Sequence, residues 1–350
     1  MRAIVYAKYG PPDVVALAEV PKPRPKKREV LVRIHATTVT TADWRARSLR
    51  LPGGFSVLGR LVFGIFGPRK PILGTELAGE VEAVGDAVTR FQPGDRVFAF
   101  TGGRYGSHAQ YRTIAETGLI VRMPANLGFE EAASLSFGAT NALSFLRDKA
   151  GIQRGDQVLI LGASGNVGTA AVQLAKHFGA QVTAVCSTAN VDLVRSIGAD
   201  EVIDYTQEDF AQARDRYDII FDTTGTTSLA RCEPSLKQRG RLVAVQGSLA
   251  QMLGLERASR QSGKKVIAGV AAVTAGDMEL IAQLAERGAL RPVIDRRYPL
   301  EDAASAHAYV DTGRKRGSVV LRVGACARHF NNDRAALQLS REVRPVRHPS

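Results

Sequence analysis

The clearest chemistry in the sequence is carried by Gly162-Ala163-Ser164-Gly165-Asn166-Val167-Gly168. The segment follows the apolar run Val158 to Leu161 and opens a stretch of helical spacing, Asn166 to Phe178. A glycine-rich turn at the mouth of a helix presents free backbone N–H groups and the positive end of the helix dipole to a phosphate; elsewhere such a turn only closes a loop. Gly165 lets the backbone approach a pyrophosphate, and Gly168 lets helix and strand pack closely. Ala163 stands where G-x-G-x-x-G has its first glycine, with Gly162 one residue earlier. The spacing predicts a dinucleotide site made by Gly162, Ala163, Ser164, Gly165, Asn166, Val167 and Gly168.

The next apolar run, Val182 to Cys186, ends in Ser187-Thr188. A site that prefers NAD usually has Asp or Glu there, about 20 residues beyond the loop, to bind the ribose 2′-hydroxyl. A carboxylate would repel a 2′-phosphate, whereas two hydroxyls can donate to it. NADP(H) is therefore the expected cofactor, although Ala189 and Asn190 follow instead of a cation, and Arg195 could equally be a solvated helix residue. Gln246 and Gly247 come after the run Leu242 to Val245, and Thr223 and Thr224 after Asp222. These are strand ends of the kind where ligands collect.

Two architectures must position these groups. Residues 1–120 alternate apolar and polar positions between Gly, Pro and Asp turns, as in Val30 to His35, Leu77 to Val84 and Val97 to Phe100, which predicts a barrel-like β domain. From Asn126 the pattern changes. Phe129 to Lys149 has helical spacing, and continuous apolar strands then alternate with helices: Val158 to Leu161, Val182 to Cys186, Glu201 to Asp204, Ile219 to Phe221, Leu242 to Val245 and Val266 to Val270. Buried strands between helices mean a doubly wound parallel sheet, so the fold class is α/β with a separate β-barrel.

Composition removes other classes. The chain has 350 residues, enough for two domains, and its 47 Lys and Arg against 34 Asp and Glu leave a net charge of +13. That excess is split between a run at Lys22 to Arg28 and a tail after Val323, which reads as solvated charge, so no nucleic-acid partner is expected. Cys186, Cys232 and Cys326 form no C-x-x-C, and the six histidines make no ligand pair, so no metal site is expected. No signal-peptide pattern follows Met1. The most apolar stretch, Phe55 to Phe66, is too short to span a bilayer and contains Arg60, so a cytoplasmic protein without a membrane partner is expected.

Five ordered segments then give a resemblance: Gly74-Thr75-Glu76-Leu77-Ala78-Gly79-Glu80-Val81, Phe91-Gln92-Pro93-Gly94-Asp95-Arg96-Val97, the Gly162 to Gly168 loop, Gly198 to Tyr205, and Gly313-Arg314-Lys315-Arg316-Gly317. Together they resemble the medium-chain dehydrogenase/reductase superfamily, in its zinc-free quinone oxidoreductase-like branch. The resemblance implies a GroES-like catalytic domain over residues 1–124, a Rossmann NADP(H)-binding domain over 125–275, a return to the catalytic domain over 276–324, and a basic, disordered tail over 325–350. It also implies a homo-oligomer. Zinc-dependent relatives place a cysteine near Thr40-Thr41 and a histidine where this chain has Thr75, and both are replaced here.

The resemblance places Tyr205 near the adenosine 2′-phosphate and Thr140 beside the nicotinamide or phosphates. Thr40, Asp43 and Tyr105 fall in or near the substrate-side segment as candidate catalytic residues. Phe55, Leu58, Leu61, Phe63 and Phe66 could form an apolar lid or the core of a short helix. Without a metal Lewis acid, hydride addition suits a quinone or an α,β-unsaturated carbonyl, whose negative charge spreads onto an oxygen that hydrogen-bond donors can hold. The competing readings are a broad-specificity NAD(P)-dependent alcohol or carbonyl dehydrogenase, and a crystallin-like protein that binds NADPH and RNA without turnover.

Overall fold

The structure is a computed structural model that describes residues 1–51, 53–54, 56–246 and 263–324. Phe55, Gly247 and the arginine-rich tail lie outside the described residues. The strands in chain order are β1 (Arg2–Val5), β2 (Ala16–Glu19), β3 (Glu29–Thr38), β4 (Glu76–Val84), β5 (Arg96–Phe100), β6 (Tyr111–Ala115), β7 (Ile120–Arg122), β8 (Gln157–Leu161), β9 (Gln181–Cys186), β10 (Glu201–Asp204), β11 (Tyr217–Asp222), β12 (Leu236–Ala244), β13 (Lys265–Ile267), β14 (Ile294–Pro299) and β15 (Ser318–Arg322).

In β3 and β4 the alternating residues Val30, Val32, Ile34, Leu77 and Val81 turn into one core, which Ile4, Val97, Ile120, Val319 and Leu321 complete. These strands form a sheet in the order β14-β15-β3-β4-β5-β7, with β6 also paired to β3. The last two strands among the described residues thus join the edge of a sheet begun by the first hundred residues.

Between them lies the α/β unit. Val158 and Ile160 of β8 enter one core and Leu159 and Leu161 another, so both faces of the strand are covered, which is why its sequence is apolar throughout. The six strands run parallel in the order β10-β9-β8-β11-β12-β13. Renumbered within the unit this is 3-2-1-4-5-6, with the chain reversing direction across the sheet between β8 and β11, where a ligand crevice opens at the strand ends.

Two local expectations change. The helical stretch from Phe129 divides into α3 and α4, where α1 (Thr41–Ser48), α2 (Ser56–Phe63), α3 (Phe129–Ala133), α4 (Ser136–Leu143), α5 (Asn166–His177) and α6 (Val191–Ser196) are numbered in chain order. The break has a cause in side chains. The Ser134 hydroxyl donates to the Glu130 carbonyl, and the Phe137 amide at the start of α4 donates to the Glu76 carboxylate from β4. The strand expected over Val266 to Val270 ends at Ile267, because Gly269 takes φ +120°, a conformation a β ladder does not use.

Candidate functional site

The turn after β8 has the shape that its glycines dictate. Gly162 takes φ +73°, and a Cβ there would lie 2.5 Å from Thr223 Oγ1. A Cβ on Gly168 would lie 2.1 Å from the Gly162 carbonyl oxygen, so only glycine lets α5 pack this close to the strand. The Gly165 and Ala163 amides are used inside the fold, donating to the Gly162 and Val185 carbonyls. The first turned-in amide of α5, on Thr169, donates to the Gly165 carbonyl, which leaves those of Asn166, Val167 and Gly168 without an intrahelical acceptor. A Cβ on Gly165 would meet only the Gly162 oxygen, at 3.5 Å, so the space before the helix is open. This cradle fits a pyrophosphate.

The C-terminal return braces the cradle. The Gly317 amide donates to the Ser164 carbonyl at 2.8 Å, and Asn166 Nδ2 donates to Ser318 Oγ. The Asn166 side chain therefore faces β15, and its contribution at the phosphate end is its backbone.

At the far end of the crevice, Ser187, Thr188 and Tyr205 gather where β9 and β10 finish, and Tyr205 is exposed. Thr188 Oγ1 donates to Asp204 Oδ2, while the Thr206 amide and hydroxyl donate to Oδ1, at 3.0 and 2.8 Å. The Thr188 hydroxyl in particular holds the Asp204 carboxyl below its usual range. The sequence reading missed this acid, since it ends the third strand and not the second. Asn190 Nδ2 donates to Ser187 Oγ at 3.0 Å.

At the opposite end, α1 projects from the barrel into the cleft. Thr40 caps it: the Thr40 amide and hydroxyl both donate to Asp43 Oδ2, at 2.8 and 2.6 Å, and the Asp43 amide donates back to Thr40 Oγ1 at 3.3 Å. The Gly74 amide donates to Asp43 Oδ1 at 2.7 Å, and the Thr40 and Thr75 hydroxyls lie 3.2 Å apart. Asp43 is fully buried with both oxygens occupied, so it orders the start of α1. The buried Tyr105 hydroxyl approaches the Ala42 carbonyl at 3.5 Å, and burial raises its pKa, which keeps the proton on oxygen. The Thr140 hydroxyl donates to Ser136 O at 2.7 Å, one turn back on its own helix.

Two further residues, Arg45 and Glu76, are not among the site residues expected from the sequence. Arg45, on α1, donates from Nη2 to Gln246 Oε1 at 2.5 Å, and Gln246 Nε2 donates to the Thr223 carbonyl at 3.0 Å. Thr223 Oγ1 in turn donates to the Leu161 carbonyl at 2.8 Å. One chain of hydrogen bonds thus runs from the barrel helix to the phosphate turn. Burial lowers the Arg45 pKa, which marks a cation held in a poorly solvated place. Glu76 is fully buried and accepts from Thr38 Oγ1 and the Phe137 amide. Burial raises its carboxyl to about 8 against those two donors, with nearby Asp43 adding to the rise and Lys315 opposing it. Burial likewise brings Lys315 down to about 8. Partners from distant segments, such as Phe137 for Glu76, cannot be read from spacing.

Among the described residues no group of three His, Cys, Asp or Glu side chains could hold a metal ion, and no helix is long and apolar enough to cross a membrane.

Comparison with known proteins agrees with this geometry. Residues 26–125 match the alcohol dehydrogenase GroES-like domain, and residues 197–321 match the family described as zinc-binding dehydrogenase. The chain is 30% identical over 334 residues to the chloroplast envelope quinone oxidoreductase homolog of Arabidopsis thaliana, covering 92% of this chain and 98% of that one. It is 31% identical over 336 residues to the NADPH-dependent alkenal/one oxidoreductase of the same plant, covering 92% of this chain and 79% of the relative. The quinone oxidoreductase from Coxiella burnetii superposes with a TM-score of 0.81 at 27% identity, over 93% of this chain and 99% of that one. The chain belongs to the medium-chain dehydrogenase/reductase superfamily, among its quinone oxidoreductase-like members.

Proposed function

We propose that the protein is an NADPH-dependent reductase of quinones or α,β-unsaturated carbonyls that works without zinc. The observation that carries the proposal is Arg45, a partly desolvated cation held by Gln246 where the carboxyl ends of the parallel strands face the barrel. When bound, the reduced nicotinamide supplies a hydride. The residues of the chain do the rest: the α5 amides and Gly165 hold the pyrophosphate, and Arg45 donates to the oxygen on which negative charge gathers as a conjugated carbonyl is reduced. Gln246 fixes the guanidinium, so its donors are aimed in advance. Thr40, Thr75 and Tyr105 bond one another's segments and Asp43, and so shape the wall behind Arg45; solvent is the source of the proton that completes reduction.

Zinc does not fit the residues present. The family resemblance implies that the relatives' zinc ligands fall near Thr40-Thr41 and at Thr75, and here the Thr40 hydroxyl is bonded to Asp43 and lies 3.2 Å from that of Thr75. NADPH is favoured by Ser187, the exposed Tyr205 and the name of the alkenal/one relative. Asp204 is the one observation that favours acceptance of NADH as well. Steady-state assays with a 1,4-quinone, a 2-enal and simple alcohols, with and without chelator, test the reading. Chelator-resistant oxidation of NADPH by the quinone or enal supports it; alcohol oxidation abolished by chelator contradicts it.

A further inference from the structure

Of the seven large apolar side chains that are exposed among the described residues, five lie in one short stretch: Leu58, Leu61, Val62, Ile65 and Phe66, the last fully exposed. Of the residues the sequence offers as lid or helix core, Phe55 lies outside the described residues, Leu58, Leu61 and Phe66 are exposed, and Phe63 turns inward, its ring 6.4 Å from that of Tyr105. Gly59 and Phe63 turn α2 toward the protein, and Leu58, Leu61 and Val62 turn away from it. The following turn is anchored to the barrel, since Tyr9 donates its hydroxyl to the Gly64 carbonyl at 2.9 Å. An apolar surface of this kind without a partner marks a place of association.

Charge identifies the partner. Between Asp43 and Glu76 the sequence contains six cations and no Asp or Glu. Arg45 and Arg47 are committed to Gln246 and Asp311. Arg50, Arg60, Arg69 and Lys70 are exposed around the apolar face and make no ion pair among the described residues. A short amphipathic helix with aliphatic and aromatic side chains outward and a rim of basic ones suits the boundary between acyl chains and anionic headgroups. A nucleic acid offers the charge but no apolar phase for the five side chains.

We propose that α2 and the turn to Lys70 are a membrane-docking surface that rests this protein on anionic bilayers. It would lie on the bilayer without crossing it, with the wall of the cleft that carries Tyr105 directly behind. The proposal does not depend on the reductase reading.

Co-sedimentation of the full chain with vesicles tests it, using phosphatidylcholine mixed with phosphatidylglycerol against phosphatidylcholine alone. The wild type is expected to sediment with the mixed vesicles and much less with the neutral ones. The double variant Leu61→Ser/Phe66→Ser, with the basic tail intact, should lose binding by about tenfold or more. Arg69→Gln/Lys70→Gln should weaken binding and flatten its salt dependence, and it reads the same surface if the first variant does not fold, as checked by thermal unfolding. Wild type left in the supernatant overturns the proposal. So does a folded apolar variant that binds like wild type, since the tail charge then accounts for binding. A wild-type dimer dispersed by Leu61→Ser/Phe66→Ser, with no vesicle binding, shows instead that a second copy covers the patch.

Discussion

Arg45 and Gln246, 201 residues apart in sequence, meet at 2.5 Å across the cleft between the barrel and the parallel sheet. Their contact does two things at once. It ties helix α1 to the end of β12, and it holds a guanidinium in place before any substrate arrives. A donor fixed in this way stabilises a developing charge without the cost of reorganising at the moment of reaction.

Replacing Arg45 with Ala should therefore lower kcat by about 100-fold or more, with a smaller change in KM, because the bond is strongest when the substrate oxygen is most negative. Arg45→Lys keeps the charge and should recover part of the loss. Gln246→Ala leaves the donor but frees it, so its effect should be weaker than that of Arg45→Ala. Steady-state kinetics with a quinone and a 2-enal measure all three.

At the adenosine end, Asp204 sits between Thr188 and Thr206 with both oxygens accepting. Its charge disfavours a 2′-phosphate nearby. Asp204→Asn should tighten NADPH binding several-fold while leaving NADH nearly unchanged, and fluorescence titration of both reduced cofactors reads the ratio. An unchanged ratio would place the 2′-phosphate elsewhere.

Gly168 is the position where a single methyl group should matter most in the cradle, since its Cβ would overlap the Gly162 carbonyl, 2.1 Å away. Gly168→Ala should displace α5 from the strand and weaken binding of either cofactor by more than about tenfold, together with a loss of about 1–3 kcal/mol in stability. Gly165→Ala, whose Cβ has room at 3.5 Å, should leave stability unchanged and act on cofactor affinity alone.

Glu76 gives a pH signature with a definite sign. Its carboxyl moves from its ordinary 4.5 to about 8 on folding. Between those two values the folded chain keeps a proton that the unfolded chain has released, so stability falls as pH rises through the window and is full below it. Glu76→Gln has nothing to titrate. Its Tm minus that of the wild type should grow from pH 5 to pH 8, a range taken from that window, and thermal scans across it decide the matter. Lys315, brought down to about 8, acts in the next window: there the unfolded chain holds the extra proton, and stability rises with pH.

Much of this was legible in the sequence, and what was legible was local. The apolar run of β8, the glycines at 162, 165 and 168, and the start of α5 are neighbours in the chain, so their spacing alone predicts the strand, the turn and the helix. The period-two pattern of β3 and β4 likewise shows which side chains form the barrel core. Illegible were the contacts that cross between segments. Arg45 belongs to no motif until the end of β12 brings Gln246 to it, and Glu76 is one residue of a resemblance segment until α4 supplies the Phe137 amide. Asp204 was overlooked because the rule for the second strand says nothing of an acid on the third. The choice between lid and helix core for Phe55, Leu58, Leu61, Phe63 and Phe66 stays open in the sequence, because hydrophobicity shows that a residue avoids water but not which neighbour, if any, covers it.

The central claim is that a nicotinamide hydride is delivered to a carbon conjugated with a carbonyl, with Arg45 and not a metal holding the oxygen. Mass spectrometry of the product formed from a 2-enal and NADPH deuterated at C4, with protein stripped of metal by chelator, tests it most directly. One deuterium at the β-carbon of a saturated aldehyde is the predicted result. Deuterium at the carbonyl carbon of an allylic alcohol, or turnover that returns only when zinc is added, would contradict it.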